Sequence, residues 1–176
     1  MAPINRVTLW DGLSSNAIGT SAQNLVCGLA ILGAEGRLRA GIPDGSDGRI
    51  NIMFHLRGEF DRPLGIQVLC RTAPDAHGLI VFGFTTKPEW LMTSPAFRYL
   101  FAVFGPDGRS FVDPMFLVPS EIIHRELHPA PRGQVRFKRV FRLYPNSQDP
   151  WWRFRVAPDD LGRKICETIQ ELPRWA

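Results

Sequence analysis

The order of hydrophobic patterns along the chain constrains the fold more than any other feature of the sequence. Apolar residues recur at helical spacing over residues 16–33, which predicts a long helix. Apolar or alternating runs of strand length follow at residues 49–56, 64–71 and 79–84. Because helical and strand segments are mixed without regular alternation, the sequence predicts an α/β fold with a central mixed β-sheet flanked by helices.

The second half of the chain continues this mixture. Strands at 99–104 and 111–118 enclose the turn-forming residues 105–108, which predicts a hairpin. A short helix should follow with Ser120 as its N-cap, and residues 134–144 alternate between basic and apolar side chains. A terminal helix should open at Pro158. The second half of the sequence therefore predicts a hairpin, one exposed basic strand and two more helices.

Length and composition favour a single domain. The chain has 176 residues, of which 44% are hydrophobic, and this is enough for one sizeable core. We predict an N-terminal arm at residues 1–15 and one domain at residues 16–176. The sequence contains no apolar run of about 18 residues and no secretory pattern, so we expect a cytoplasmic protein without membrane association. The three cysteines form no CxxC pair, which fits buried, reduced thiols.

Three short stretches, in a specific order, resemble a known family. Residues 19–26 read GTSAQNLV, residues 49–52 read RINI and residues 65–72 read GIQVLCRT. Residues 116–121, FLVPSE, and residues 152–156, WRFRV, continue the similarity. Together they resemble the PD-(D/E)xK nuclease superfamily, in particular a bacterial branch with an Ile-Gln-Val-Lys strand. The resemblance implies a restriction-endonuclease-like core.

The same resemblance shows where this chain departs from an active nuclease. In the family, a helix Glu and a strand Asp help to bind a divalent ion such as Mg²⁺, a neighbouring carboxylate or amide completes the site, and a Lys supports the attacking water. The matching positions here hold Gln23, Asn51, Gln67 and Leu69, none of which is charged. Arg71 lies two residues after Leu69 on the same strand face, and it is the nearby cation that could substitute for the lysine. An arginine stays protonated and is a poor general base.

Three functional hypotheses follow. The first is a catalytically inactive nuclease-like domain, without a cofactor, that binds nucleic acid or a protein partner. The second is a Mg²⁺-dependent DNA endonuclease whose metal ligands have moved, with Asp44, Asp47, Glu59 and Asp61 as the candidates. The third is a structural or interaction subunit with no nucleic-acid role. The sequence leaves the oligomeric state open, with a homo-oligomer as one alternative.

Cations and aromatic residues are interleaved near the C-terminus. The formal net charge is +4, and the predicted basic strand and its surroundings carry Arg132, Arg136, Lys138, Arg139 and Arg142, followed by Trp151, Trp152, Arg153 and Arg155. Such a combination can contact a phosphate backbone and stack on bases. The candidate nucleic-acid-binding residues are Arg136, Lys138, Arg142, Arg153 and Arg155. The four histidines show no zinc-binding spacing.

Overall fold

The computed structural model of the protein describes residues 14–43, 50–72, 79–142 and 149–174. Within these ranges the helices are α1 (Ser15–Gly33), α2 (Ser120–Arg125) and α3 (Leu161–Glu171). The strands are β1 (Leu38–Gly41), β2 (Ile52–Leu56), β3 (Leu64–Arg71), β4 (Leu79–Thr86), β5 (Phe97–Val103), β6 (Met115–Pro119), β7 (His128–Ala130), β8 (Gln134–Arg142) and β9 (Arg155–Val156). Among the described residues, no helix combines the length and the apolar character needed to cross a membrane.

The described strands form two sheets. A six-stranded sheet has the order β1-β2-β3-β5-β6-β9, in which β3 and β5 are parallel and the other neighbours are antiparallel. This confirms the predicted α/β class with a central mixed sheet. A second, three-stranded antiparallel sheet has the order β4-β8-β7. The second sheet was not predicted, because β4 and β8 are far apart in sequence and neither pattern identifies its partner.

The six-stranded sheet separates two hydrophobic layers. In β5, Leu100 and Ala102 pack on one side with α1 and α3, whereas Tyr99 and Phe101 pack on the other side with the three-stranded sheet. Alternate residues of a strand point to opposite faces, so a continuous apolar run suits a strand that is covered on both sides. The described residues therefore form a helical layer, a central sheet and a smaller outer sheet.

The two long helices touch through small residues. A Cβ atom added at Gly162 in α3 would lie 2.3 Å from the carbonyl oxygen of Ala30 in α1, which is closer than atoms can approach. A Cβ atom at Gly33 would lie 3.0 Å from the carbonyl oxygen of Asp159. Glycine at these positions lets the helices approach backbone to backbone. The start of α1 is capped by Ser14, whose hydroxyl accepts a hydrogen bond from the N–H of Ala17 at 3.2 Å.

The structure corrects the predicted N-cap of α2 and confirms the predicted hairpin. Ser120 is not an N-cap: Pro119 occupies that position, and the Ser120 hydroxyl donates to the carbonyl of Ser94 and accepts from its N–H. The helix α2 ends at Arg125, and His128 begins β7. The predicted hairpin is present as the antiparallel pair of β5 and β6. Most of the predicted N-terminal arm, residues 1–13, lies outside the described residues.

Candidate nucleic-acid interface and nuclease-like positions

Asn51 is held between β2 and β3. Its backbone N–H donates to the carbonyl oxygen of Ile66 at 2.9 Å, and its Oδ1 accepts a hydrogen bond from the N–H of Val68 at 2.7 Å. The register pairs Ile52 with Ile66, so its continuation places Asn51 opposite Gln67. The side chain at the position where the resemblance expects a catalytic aspartate thus completes the hydrogen bonding of β3.

Gln67, Leu69 and Arg71 project from one face of β3 because they are two residues apart. Leu69 packs against the aromatic cluster beneath the three-stranded sheet, which identifies that face. Val68, between them, packs on the opposite side with the helices. Gln67 and Leu69 are half-buried, and Arg71 is exposed at the end of the strand.

Gln23 belongs to the helical layer. It is half-buried on α1, one turn after Gly19. A cavity of about 270 Å³ lies between the start of α1 and the end of β3, and Gly19 and Cys70 are among its lining residues. Gln23 does not line this cavity. The structure therefore brings Asn51 to β3 and leaves Gln23 on the opposite side of the sheet from Gln67.

The acidic residues proposed as moved metal ligands are only partly described. Glu59 forms an ion pair with Arg62, and the carboxylate of Asp61 lies 4.0 Å from the Nε atom of Arg174. Asp44 and Asp47 lie outside the described residues. Among the residues that are described, His, Cys, Asp and Glu side chains form no group of three or more that could hold a metal ion.

A basic groove lies on the outer surface where β3 meets the three-stranded sheet. It has a volume of about 350 Å³, and its lining includes Arg71, Gly83, Thr85, Arg136 and Lys138. Arg136 and Lys138 are exposed on β8 and lie opposite Thr85 and Gly83 of β4. The predicted basic outer face of this strand is thus confirmed for these two residues, whereas the side chain of Arg142 lies outside the described part of the chain.

Arg71 joins the two sheets at this groove. Its Nε donates a hydrogen bond to the carbonyl oxygen of Val81 in β4 at 3.1 Å. Within the described part of the chain, no carboxylate lies within ion-pair distance of Arg71, Arg136 or Lys138. The described lining of the groove contains no Asp or Glu either. Three cations, one from β3 and two from β8, therefore share one groove without a described counter-charge.

Arg139 differs from these three cations because it forms ion pairs inside the protein. It faces inward, where its guanidinium lies 3.1 Å from Glu126 and 2.8 Å from Asp149. The same guanidinium lies over the ring of Trp151, 4.4 Å from the centroid, and the indole Nε1 donates to Glu126 at 2.9 Å. Trp151 is 2% exposed and packs against Phe137. The ring of Trp151 therefore belongs to the core and is not exposed for stacking on bases.

The other predicted cations lie outside the groove. Arg155 is in β9, at the end of the six-stranded sheet, where it forms a 2.6 Å ion pair with Asp113 and lies over the ring of Trp152. Arg153 is exposed and lies 4.7 Å from the ring centroid of Phe154. Neither residue lines the basic groove, so the predicted nucleic-acid-binding set is divided between two regions of the surface.

His124 is enclosed by hydrogen bonds. Its Nδ1 lies 2.5 Å from the hydroxyl of Thr93, and its Nε2 lies 3.0 Å from the hydroxyl of Tyr99. Burial lowers the pKa of His124, and the nearby carboxylate of Glu121 opposes that shift. Ser120 is bonded to Ser94 and not to His124, so these residues do not form a nucleophile–base pair.

The thiols are poor nucleophiles. Burial raises the pKa of Cys70 to about 12, and burial also raises the pKa values of Cys27 and Cys166. At neutral pH these thiols are protonated, and a thiol is much less nucleophilic than a thiolate. Of the three cysteines predicted to be buried, Cys166 is buried, whereas Cys27 and Cys70 are half-buried.

No family model matches the chain, and no curated protein matches its sequence. Among solved structures, the fold is similar to that of a bacterial homing endonuclease, I-Ssp6803I, with a TM-score of 0.54 at 12% sequence identity. The similarity covers 90% of this chain and 99% of the endonuclease chain. At this identity the likeness concerns the fold alone: the chain has a nuclease-like architecture.

Proposed function

We propose that this protein is a catalytically silent nuclease-like domain that acts by binding nucleic acid, with no metal cofactor. The observation that carries the proposal is the position of Asn51, whose Oδ1 accepts the N–H of Val68 at 2.7 Å. A neutral amide that completes a strand stands where the resemblance expects an ion-binding carboxylate.

The chemistry of the ion explains why this substitution matters. Mg²⁺ is a hard cation that proteins usually bind through one or two carboxylates together with substrate phosphates. When bound, such an ion polarises the phosphate and lowers the pKa of its water. Asn51 and Gln67 contribute no negative charge, and Leu69 contributes no ammonium group. The residues at these positions therefore fit such an ion poorly.

Binding without cleavage needs cations, and the basic groove supplies them. Arg71, Arg136 and Lys138 line it without a described counter-charge, and phosphate contacts by Lys and Arg dominate nucleic-acid affinity. The nuclease-like fold of a homing endonuclease supports DNA as the nucleic acid. A protein partner remains the alternative ligand for the same catalytically silent domain.

Two measurements on the intact protein test the proposal. In calorimetry, Mn²⁺ should give no saturable binding in the micromolar range, and a supercoiled plasmid should stay intact with Mg²⁺ or Mn²⁺. The double variant Asn51→Asp/Gln67→Glu restores two carboxylates on neighbouring strands and provides the matched comparison. If that variant stays folded, it should bind Mn²⁺ more tightly than the wild type.

Other results would favour the other hypotheses. Metal binding and plasmid nicking by the wild type would contradict the proposal and support ligands supplied by residues such as Asp44 or Asp47. An intact plasmid together with no affinity for DNA or RNA would support an interaction subunit instead.

A further inference from the structure

We propose that the outer face of the three-stranded sheet binds the sugar-phosphate backbone of double-stranded nucleic acid. We call this surface the basic face and define it by Arg71, Thr85, Arg136 and Lys138. The inference rests on the proposed function, because it assigns the surface and the form of nucleic acid to a domain that binds one. It places the contact outside the nuclease-like positions Asn51, Gln67 and Leu69.

The geometry of β8 supports phosphate contacts. Arg136 and Lys138 are two residues apart on the same exposed face, so their Cα atoms are separated by about 7 Å. This separation is similar to the spacing of successive phosphates along one nucleic-acid strand. Two cations on one strand face can therefore contact neighbouring phosphates at the same time.

Gly83 leaves the surface between β4 and β8 open because it has no side chain. It lies opposite Lys138, and a Cβ atom added there would lie 2.9 Å from the carbonyl oxygen of Phe137. The close backbone approach requires glycine, and the missing side chain leaves space beside Lys138. The groove of about 350 Å³ includes this space.

Arg71 adds a fixed donor at the edge of the face. Its Nε is bonded to the carbonyl oxygen of Val81, which holds the guanidinium against β4. The two terminal nitrogens have no hydrogen-bond partner among the described residues. Two parallel N–H groups match the oxygens of a phosphate, and a guanidinium that is already held in place loses less entropy on binding.

Charge pairing distinguishes these three cations from many others in the chain. Arg62, Arg139, Arg155 and Arg163 each lie within ion-pair distance of a described carboxylate. The cations of the basic face have no such partner within the described residues. Within the described ranges, no ion pair of these three cations would have to break before they bind an anionic ligand.

The aromatic residues decide between single-stranded and double-stranded nucleic acid. Sites for single strands stack bases on exposed aromatic rings. In the outer sheet, Phe82, Phe137 and Phe141 are buried, and Phe84 is stacked on Tyr99. Phe84 and Phe137 also line the groove, but their rings belong to the aromatic cluster beneath the sheet, and the exposed imidazole of His128 lies opposite Arg136. Because no Phe, Tyr or Trp of the described part of this sheet is exposed, the face suits contact with the backbone of a duplex better than stacking with unpaired bases.

The salt dependence of binding tests the proposal. Affinity for a labelled 20-base-pair DNA duplex would be measured over a range of NaCl concentrations for the wild type and for Arg136→Gln/Lys138→Gln. The control is Arg57→Gln/Arg109→Gln, which removes two exposed cations outside the groove. Both double variants therefore have the same net charge. The slope of log K against log salt should become shallower by about one for each phosphate that the protein no longer contacts. We expect a change of about two in Arg136→Gln/Lys138→Gln, the basic-face variant, and a smaller change in the control.

The outcomes separate this inference from the proposed function. If the wild type binds DNA and the basic-face variant keeps its affinity and slope, the surface assignment is overturned while nucleic-acid binding stands. If the matching single strand binds more tightly than the duplex, the preference for double strands is overturned. If the wild type binds no nucleic acid at all, the proposed function fails first. Thermal melting of each variant verifies that it is folded.

Discussion

The Oδ1 atom of Asn51 lies 2.7 Å from the backbone nitrogen of Val68, so a side chain at the start of β2 completes the hydrogen bonding of β3. In a nuclease of the superfamily that this chain resembles, a carboxylate at this position would be directed at a metal ion. Here the amide oxygen is committed to the sheet. This contact gives Asn51 a role in the stability of the central sheet.

Replacing Asn51 should therefore affect stability. Asn51→Ala leaves the half-buried N–H of Val68 without its acceptor, so the free energy of unfolding should fall by about 1–2 kcal/mol in urea denaturation. Asn51→Asp keeps an acceptor and should retain most of the stability. Asn24→Ala, at an exposed position of α1, is the control. An Asn51→Ala protein as stable as the control would show that the hydrogen bond contributes nothing.

The contact between α1 and α3 should not tolerate a side chain at position 162. Gly162→Ala places a methyl group where only 2.3 Å separates it from the carbonyl oxygen of Ala30, so α1 and α3 must move apart. We expect a loss of about 1–3 kcal/mol in the free energy of unfolding. Gly28→Ala has open space around it in α1 and should stabilise the protein by about 0.5–1 kcal/mol. Equal effects of the two substitutions would contradict the close packing.

Two neighbouring arginines should behave in opposite ways. Arg139→Gln leaves the carboxylates of Glu126 and Asp149 without their cation and should cost about 2 kcal/mol of stability. Arg136→Gln removes an exposed charge and should change stability by less than about 0.5 kcal/mol. Chemical denaturation measures both. Because Arg136 belongs to the basic face, its replacement should weaken nucleic-acid binding without destabilising the fold. A large loss of stability in Arg136→Gln together with none in Arg139→Gln would contradict these assignments.

His124 should make stability depend on pH. Burial lowers its pKa in the folded state below the ordinary value of about 6.5, so the unfolded chain binds the proton first as pH falls. The stability present above pH 6.5 is therefore lost progressively as pH decreases from that value towards the folded pKa. The melting temperature should fall less steeply in His124→Gln over this range. His128→Gln, which removes an exposed histidine of β7, is the matched control.

Local patterns in the sequence predicted the elements well. Helical spacing located α1, and the apolar run at residues 64–71 corresponds to β3 as observed. The alternation in β8 also contained the signal that separates Arg139 from Arg136, because odd-numbered positions share the inner face with Phe137. The predicted nucleic-acid-binding set accordingly contains Arg136 and not Arg139.

Long-range relationships could not be predicted from those patterns. The pairing of β4 with β8 joins residues that are 49 to 63 positions apart, and the groove that brings Arg71 to Lys138 depends on that pairing. The ion pair between Arg155 and Asp113 arises in the same way from the contact of β6 with β9. Sequence spacing identified the candidate cations, and tertiary structure decided which of them share a surface.

The affinity for a DNA duplex, measured with EDTA and again with Mg²⁺ at matched ionic strength, separates binding by the protein's own cations from binding through a metal ion. If the protein holds nucleic acid through its own cations, the duplex should bind at least as tightly with EDTA as with Mg²⁺, which competes for the phosphates, and it should be recovered uncut. Binding that appears only with Mg²⁺, or a cleaved duplex, would contradict a catalytically silent binding domain.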